Sequence, residues 1–216
     1  MNKRAVLISG GILDEQFVLE QINLDEDYII GIDSGVEFLY RQGITPDYIV
    51  GDFDSLASEI VAYYKEHTHI PVQKLNIEKD ASDTEEGVRL AISLRFQEIL
   101  ILGATGSRMD HVWANVQALT IAKRASVSAS IMDAHNKIYL IDGKTRIRKH
   151  EAFGTFFSVF PLGGSVEQFS IEGAKYPLYN HNLCPYNSLC VSNQIEDREV
   201  VITFPQGLVI VMETRD

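Results

Sequence analysis

The pattern of apolar residues changes once along the chain, near Ala134, and this change constrains the fold more than any other feature. Before it, short apolar runs alternate with segments of helical periodicity, which is typical of a parallel sheet with helical crossovers. The predicted strands are AVLISG, YIIGID, YIVGD, PVQKLNI, ILILGA and SASIMDA. Helices are predicted over residues 83–96 and 111–124. We therefore predict an α/β, Rossmann-like domain over residues 1–134, with helices on both faces of a parallel sheet.

Beyond Asn136 the helical periodicity gives way to short β-rich runs, separated by turn signals such as PLGG and PQG. The runs are KIYLID, TFFSVFPL, VEQFSIEG, SLCVSNQIE, EVVITF and GLVIVMET. Closely spaced short strands of this kind favour a small sandwich or barrel. The sequence therefore predicts a second, all-β domain over residues 135–216.

Carboxylates collect where the predicted parallel strands end. Asp52 and Asp54 follow YIVG one residue apart, and in a strand their side chains would point to the same side. Two like charges this close repel unless a cation or a proton intervenes. Further carboxylates follow other strands: Asp33, Asp80, Asp83 and Asp110. Oxygen donors without a His or Cys cluster favour Mg²⁺, which also binds the phosphates of nucleoside triphosphates.

Several of these acidic residues also have an ordinary structural interpretation. The segment SDTE fits a capping box with Ser82 at the start of a helix, and Asp110 could cap the next helix. Asp33 could be a turn residue. His111 and Asn115 lie one helical turn apart, a spacing that suits a structural hydrogen bond better than catalysis. These alternatives stay open at the level of sequence.

The loop GATGSRMDH supplies groups suited to binding an anion. Gly103 and Gly106 permit close backbone approach, and the N-terminus of the following helix attracts negative charge. Arg108 could hold a phosphoryl oxygen. Lys79 is ambiguous between a phosphate contact and a surface charge. The loop has neither the P-loop nor the GxGxxG pattern.

Composition excludes several classes of function. The formal net charge of −11 makes an extended nucleic-acid surface unfavourable. The first residues lack the long apolar core of a signal peptide, and no stretch reaches transmembrane length. The two cysteines, Cys184 and Cys190, support neither a disulfide framework nor a zinc site. We expect a cytoplasmic protein that has no nucleic-acid or membrane partner.

Three segments resemble the signature blocks of the thiamine pyrophosphokinase family in their order and spacing. They are IDSGVEFLYRQGITPDYIVGDFDSL, KDASDTEEGVRLA and GATGSRMDHVWANVQAL, with GAKYPLYNHNL and VSNQ similar to later blocks. The resemblance implies transfer of a pyrophosphoryl group from ATP to thiamine with Mg²⁺. It also implies a β-sandwich as the second domain, and a homodimer whose active site joins the α/β domain of one chain to the β domain of the other.

The same resemblance assigns roles to individual residues. Metal ligands would be Asp52, Asp54 and Asp83. ATP would be bound by Asp33, Ser34, Lys79, Asp80, Ser82, Gly106 and Arg108. Thiamine would be bound by Asp110, Ser192 and Asn193. The catalytic residues would be Asp54, Arg108 and Asp110.

Two departures from the family pattern affect these assignments. Ser34 stands where the family usually has glycine, which leaves the backbone contacts of the nucleotide at that point open. Ser82 replaces threonine and keeps the hydroxyl. Two other functions stay open: a phosphohydrolase with Asp52 as nucleophile, and a non-catalytic sensor of nucleotide or thiamine.

Overall fold

The computed structural model describes residues 4–53, 57–76 and 80–216. The chain divides into two compact units, Met1–Ala134 and His135–Asp216. Within the described residues, no helix is long and apolar enough to cross a membrane.

The first unit is built on a parallel sheet of six strands, as the sequence predicts. These strands are β1 (Arg4–Ile8), β2 (Asp27–Ile32), β3 (Tyr48–Gly51), β4 (Val72–Lys74), β5 (Glu98–Leu102) and β6 (Ser128–Met132). Their order across the sheet is β6-β5-β1-β2-β3-β4, and every neighbouring pair is parallel. The chain places β2, β3 and β4 on one side of β1, and then crosses over to place β5 and β6 on the other side of β1. This reversal is the kind of switch point where α/β sheets bind ligands.

Five helices connect these strands in the described chain, and they cover both faces of the sheet as predicted. They are α1 (Glu15–Gln21), α2 (Gly35–Arg41), α3 (Ala57–His67), α4 (Asp83–Ser93) and α5 (Met109–Arg124). Gly31 packs against Val36 of α2, whereas its neighbour Ile32 packs against Gly87 of α4. Because adjacent residues of a strand face opposite sides, α2 and α4 lie on opposite faces of the sheet.

Both predicted helices exist, with different ends. Helix α4 stops at Ser93 instead of residue 96, because Arg95 has a left-handed backbone with φ of 68°. Helix α5 begins at Met109, two residues before the predicted start. The alternative that Asp110 caps this helix is wrong, because Arg108 occupies the N-cap position and Asp110 lies inside the first turn.

The second unit is a sandwich of two antiparallel sheets, which confirms the predicted fold class. Its strands are β7 (Asn136–Ile141), β8 (Thr145–Arg148), β9 (Phe156–Pro161), β10 (Val166–Glu172), β11 (Leu178–Leu183), β12 (Asn193–Gln194), β13 (Glu199–Thr203) and β14 (Val209–Thr214). One sheet has the order β12-β9-β14-β7 and the other β11-β10-β13-β8. Phe157 and Val211 from the first sheet share a buried core with Phe169 and Ile202 from the second.

Three strands of this unit differ from the prediction. The run SLCVSNQIE forms only the two-residue strand β12. Strands β8 and β11 were not predicted, and they are the two edges of their sheet. Most of their side chains are at least partly exposed, so the apolar alternation that marks a half-buried strand is weak in both.

Candidate functional site

A cavity of about 530 Å³ opens in the first unit, at the carboxyl ends of β1, β2 and β5. It lies at the switch in strand order, between the loops that follow β1 and β5. It is lined by residues 9–12, 32–34, 82–84, 103–108, 111, 112, 114 and 115. Three strand ends and the first turns of α4 and α5 therefore converge on one space.

The backbones of the two central loops are locked together. The pairing of β1 and β5 continues past the strands, because the Gly11 amide donates to the Gly103 carbonyl (2.7 Å) and the Ile12 amide to the Thr105 carbonyl (2.8 Å). A Cβ atom at Gly11 would lie within 3.0 Å of both of these carbonyl oxygens. Only glycine fits at this point, so the wall of the cavity is fixed by backbone geometry.

Two buried hydroxyls lie among the lining residues. Ser9 Oγ and Thr84 Oγ1 are 2.6 Å apart, and each residue is only 6% exposed. One hydroxyl donates to the other, so one O–H of the pair remains to donate to another acceptor. This pair joins the end of β1 to the first turn of α4.

The cavity brings together four of the predicted ATP and metal residues from β2 and α4: Asp33, Ser34, Ser82 and Asp83. Ser82 is the N-cap of α4, and its Oγ accepts from the Glu85 amide at 3.2 Å, which confirms the predicted cap. Asp33 has a left-handed backbone with φ of 46°, an arrangement that is uncommon outside glycine. Ser82 therefore both caps α4 and lines the cavity.

Arg108 and Asp110 form an ion pair at the start of α5. The guanidinium donates to both carboxylate oxygens, with Nη2 at 2.7 Å from Oδ2 and Nε at 3.3 Å from Oδ1. The hydrogen bond lowers the pKa of Asp110 and raises the pKa of Arg108. Both side chains are exposed, and Arg108 lines the cavity together with Gly106.

Asn115 makes a structural hydrogen bond, but its partner is the backbone and not His111. Its Nδ2 donates to the Ala104 carbonyl at 2.8 Å, and the residue is 7% exposed. This bond ties α5 to the loop after β5. His111 lines the cavity from the exposed side of the same helix.

Asp52, Asp80 and Asp110 are not among the residues that line the cavity. Asp52 follows β3 and is half-buried, whereas Asp80 is exposed before α4. Asp54 and Lys79 lie outside the described residues. Within residues 4–53, 57–76 and 80–216, no three His, Cys, Asp or Glu side chains are grouped so that they could hold a metal by themselves.

Sequence reasoning missed the loop after β1 as a contributor to the cavity. Ser9, Gly10, Gly11 and Ile12 all line it, as do Thr84, Thr105 and Ser107. The available signal was the run of small residues, SGG, directly after a buried strand. Small residues at that point permit close approach of a ligand, but they carry no charge that would draw attention.

In the second unit, the two predicted thiamine residues have different environments. Ser192 is exposed and left-handed, with φ of 57°, and its amide donates to Ser158 Oγ at 3.1 Å. Asn193 is only 3% exposed. Its side-chain amide is hydrogen-bonded to the backbone of Tyr176 and Gln194.

Comparisons with known proteins match both units. A family model described as "Thiamin pyrophosphokinase, catalytic domain" matches residues 19–131, and one described as "Thiamin pyrophosphokinase, vitamin B1 binding domain" matches residues 144–209. A thiamine pyrophosphokinase of Bacillus subtilis is 29% identical over 188 residues, or 87% of each chain.

Solved structures agree with these matches along the whole chain. A crystal structure of thiamine pyrophosphokinase from Bacillus subtilis has a TM-score of 0.88 at 26% identity, covering 99% of this chain and 100% of that one. The corresponding structure from Geobacillus thermodenitrificans has a TM-score of 0.82 at 27% identity, covering 98% and 97%.

Proposed function

The chain belongs to the thiamine pyrophosphokinase family, and on this premise we propose that it transfers the pyrophosphoryl group of ATP to the hydroxyl of thiamine. The products are thiamine diphosphate and AMP. The observation that carries the proposal is the cavity at the β1–β5 switch point, whose lining from Ile32 to Asn115 falls within the match to the catalytic-domain family model.

We propose that the phosphates of ATP lie against the starts of α4 and α5. The first amides of any α-helix have no carbonyl partner within the helix, and the N-cap of α5, Arg108, has a donor-only side chain that cannot accept from them. Such a helix end attracts anions. The Ser9–Thr84 hydroxyl pair has one O–H to donate, and the guanidinium of Arg108 has donors beyond the two directed at Asp110. Asp33, Ser34, Asp80, Ser82, Gly106 and Lys79 complete the proposed ATP site.

The donor chemistry of the strand ends fits Mg²⁺. Asp52 and Asp83 offer carboxylate oxygens, and Asp54 is the third proposed ligand. Mg²⁺ typically takes one or two carboxylates and completes its shell with water and substrate phosphates, so a protein cluster of three acids is not required. When bound, the ion would neutralise phosphate charge as it develops in the transition state.

The transfer forms a bond between the thiamine hydroxyl oxygen and the β-phosphorus and breaks the bond from that phosphorus to the oxygen of AMP. The hydroxyl proton is released to water in this step, so the balanced products are thiamine diphosphate, AMP and a proton. Asp110 is our proposed partner of the hydroxyl, and its pKa, lowered by Arg108, makes it a weak base. We therefore propose that Asp110 chiefly orients the hydroxyl while Arg108 stabilises charge on the phosphates.

We further propose that Ser192 contacts thiamine and that two chains form a homodimer with each active site shared between them. Subunit complementation tests this arrangement. If Asp83→Asn and Ser192→Arg chains are each inactive, mixing them should restore activity, because one site of each mixed dimer then carries neither change. A mixture as inactive as its parents, at a dimer mass confirmed by sedimentation, would contradict the shared site.

A cytoplasmic location is proposed because Cys184 and Cys190 are both free thiols.

The direct test is a product assay. Purified protein with Mg²⁺, ATP and thiamine should release thiamine diphosphate and AMP in equal amounts, and omission of thiamine should abolish AMP release. Phosphate release without thiamine, with a phosphorylated aspartate trapped at Asp52, would instead support the phosphohydrolase. Binding of ATP and thiamine in calorimetry without any product would support the sensor.

A further inference from the structure

Asn193 uses its side-chain amide almost entirely on the backbone. Its Oδ1 accepts from the amides of Tyr176 (3.0 Å) and Gln194 (2.9 Å), and its Nδ2 donates to the Tyr176 carbonyl (2.8 Å). An amide side chain accepts two hydrogen bonds and donates two, so three of the four are already made. The same residue is 3% exposed, which leaves it little surface for a substrate.

The backbone segment 173–176 is joined to the chain around Asn193 at several further points. The Lys175 amide donates to the Gln194 carbonyl at 3.0 Å, and the Glu196 amide donates to the Gly173 carbonyl at 3.0 Å. Between them, Ala174 and Ile195 form an antiparallel bridge. The two hydrogen bonds between Asn193 and Tyr176 therefore close the end of a short ladder.

Tyr176 is held at its backbone and exposed at its ring. The residue is 61% exposed, although both its amide and its carbonyl are bonded to Asn193. The Lys175 ammonium lies 5.8 Å from the ring centroid and also donates to Gln194 Oε1 at 3.2 Å. An aromatic ring on a fixed backbone loses less conformational freedom on binding than one on a loose loop.

We propose that Asn193 is a positioning residue, which fixes the backbone of Tyr176 so that the exposed ring can meet the vitamin, and that it does not itself bind thiamine. The inference rests on the proposed function. Oδ1 could meet the vitamin only by giving up its bond to the Tyr176 or Gln194 amide, which is unfavourable. The one remaining Nδ2 proton belongs to a residue that is 3% exposed, so a substrate has little access to it.

Amide hydrogen exchange tests whether Asn193 fixes the backbone of Tyr176, and it needs no assay of activity. Asn193→Ala should speed exchange at the Tyr176 amide about tenfold or more, because its acceptor is removed. Asn193→Asp keeps an acceptor for the Tyr176 amide, so exchange at that amide should rise less, although the carboxylate now faces the Tyr176 carbonyl and lowers the stability of the fold. Asn187→Ala is the matched control: this exposed asparagine accepts only locally, from the Leu189 amide at 3.2 Å. Unchanged exchange at Tyr176 in Asn193→Ala would overturn the inference.

A double-mutant cycle on steady-state kinetics tests whether Asn193 acts through Tyr176. We expect Asn193→Ala and Tyr176→Ala each to raise the KM for thiamine about tenfold with the KM for ATP unchanged, and the double variant to resemble Tyr176→Ala alone. If the two effects multiply in the double variant, Asn193 contacts the vitamin independently of Tyr176, and the inference is overturned. The proposed function would still stand in that case, because the wild-type protein forms thiamine diphosphate. A wild-type protein that makes no thiamine diphosphate would overturn both.

Discussion

Polar side chains serve opposite purposes in the two regions that the family resemblance singles out. In the α/β unit, Asp83 and the Ser9–Thr84 pair lie at the wall of a cavity, where they can meet a ligand. In the β unit, Asn193 is buried and spends its hydrogen bonds on the backbone. A polar residue in a family motif can thus act by contact or by holding the chain that makes the contact, and the hydrogen bonds that its side chain already makes distinguish the two.

The largest expected effect comes from a residue on the cavity side of this comparison. Asp83→Asn removes a charge from the start of α4 while keeping the shape of the side chain. We expect kcat to fall roughly 10²- to 10³-fold, since removing one preorganised polar contact in other active sites costs this much. The measurement is steady-state formation of thiamine diphosphate, with unfolding monitored by circular dichroism to verify the fold.

Asp25→Asn is the matched control for this variant, because Asp25 is exposed and does not line the cavity. Its turnover should equal that of the wild type. Near-wild-type turnover in Asp83→Asn would contradict the contact role of the cavity carboxylates.

The second prediction concerns the rigidity of the cavity wall. Gly11→Ala would put a Cβ within 3.0 Å of two backbone carbonyl oxygens, which cannot move aside as a flexible side chain would. We expect the free energy of unfolding in urea to fall by about 3 kcal/mol, near the upper end for overpacking. Gly143→Ala in the β unit is the control, because no atom lies within 4 Å of its Cβ position. Equal stability of the two variants would mean that the loops adjust and the wall is not fixed.

Tyr64 extends the comparison to the α/β unit, because its hydroxyl, like the Asn193 amide, is buried and hydrogen-bonded to the backbone. Its hydroxyl donates to the Ile44 carbonyl at 3.1 Å, and burial raises the pKa of Tyr64 to about 12. A raised pKa means that the neutral phenol stabilises the fold fully below pH 10, the ordinary value, and that this contribution is lost as pH rises through 12. The loss should be on the order of 2 kcal/mol.

Denaturant unfolding between pH 8 and pH 12 measures this loss. Relative to wild type, Tyr64→Phe should be less stable at pH 8, by about 1 kcal/mol for the lost hydrogen bond, and should recover as pH rises. Tyr186→Phe, at a tyrosine that is 85% exposed, is the control for loss of a phenol that the fold does not bury. A difference between wild type and Tyr64→Phe that stays constant with pH would contradict the buried neutral phenol.

The sequence predicts the central strands well and the edge strands poorly, for a physical reason. Strands β1 and β5 are buried apart from their first residues and appear as continuous apolar runs. Strands β8 and β11 each pair on one side only and keep exposed polar residues, so their sequences, TRIR and LYNHNL, look like loop. Edge strands carry polar residues because an apolar edge would recruit further strands.

The site follows a similar rule. Charged residues in the loops and helix starts that follow strands, such as Asp33 and Asp83, could be predicted to converge because parallel strands end at one edge. The contribution of Gly11 could not, since it depends on which carbonyls approach it from a distant loop. The partners of the Asn193 amide were equally hidden, because sequence reports that an amide is present and not what it bonds to.

Ser82 both caps α4 and lines the cavity, so it could serve the fold, the ligand or both. Its substitution should give the smallest change in stability of these predictions. Ser82→Ala removes the N-cap of α4, which should cost about 1 kcal/mol in unfolding free energy. Ser82→Asp restores an acceptor for the Glu85 amide, so stability should return. If Ser82 also meets the phosphates of ATP, the added charge repels them, and the KM for ATP should stay raised in Ser82→Asp although the fold is repaired. Recovery of both stability and ATP affinity in Ser82→Asp would assign this serine to the fold alone, on the same side of the comparison as Asn193.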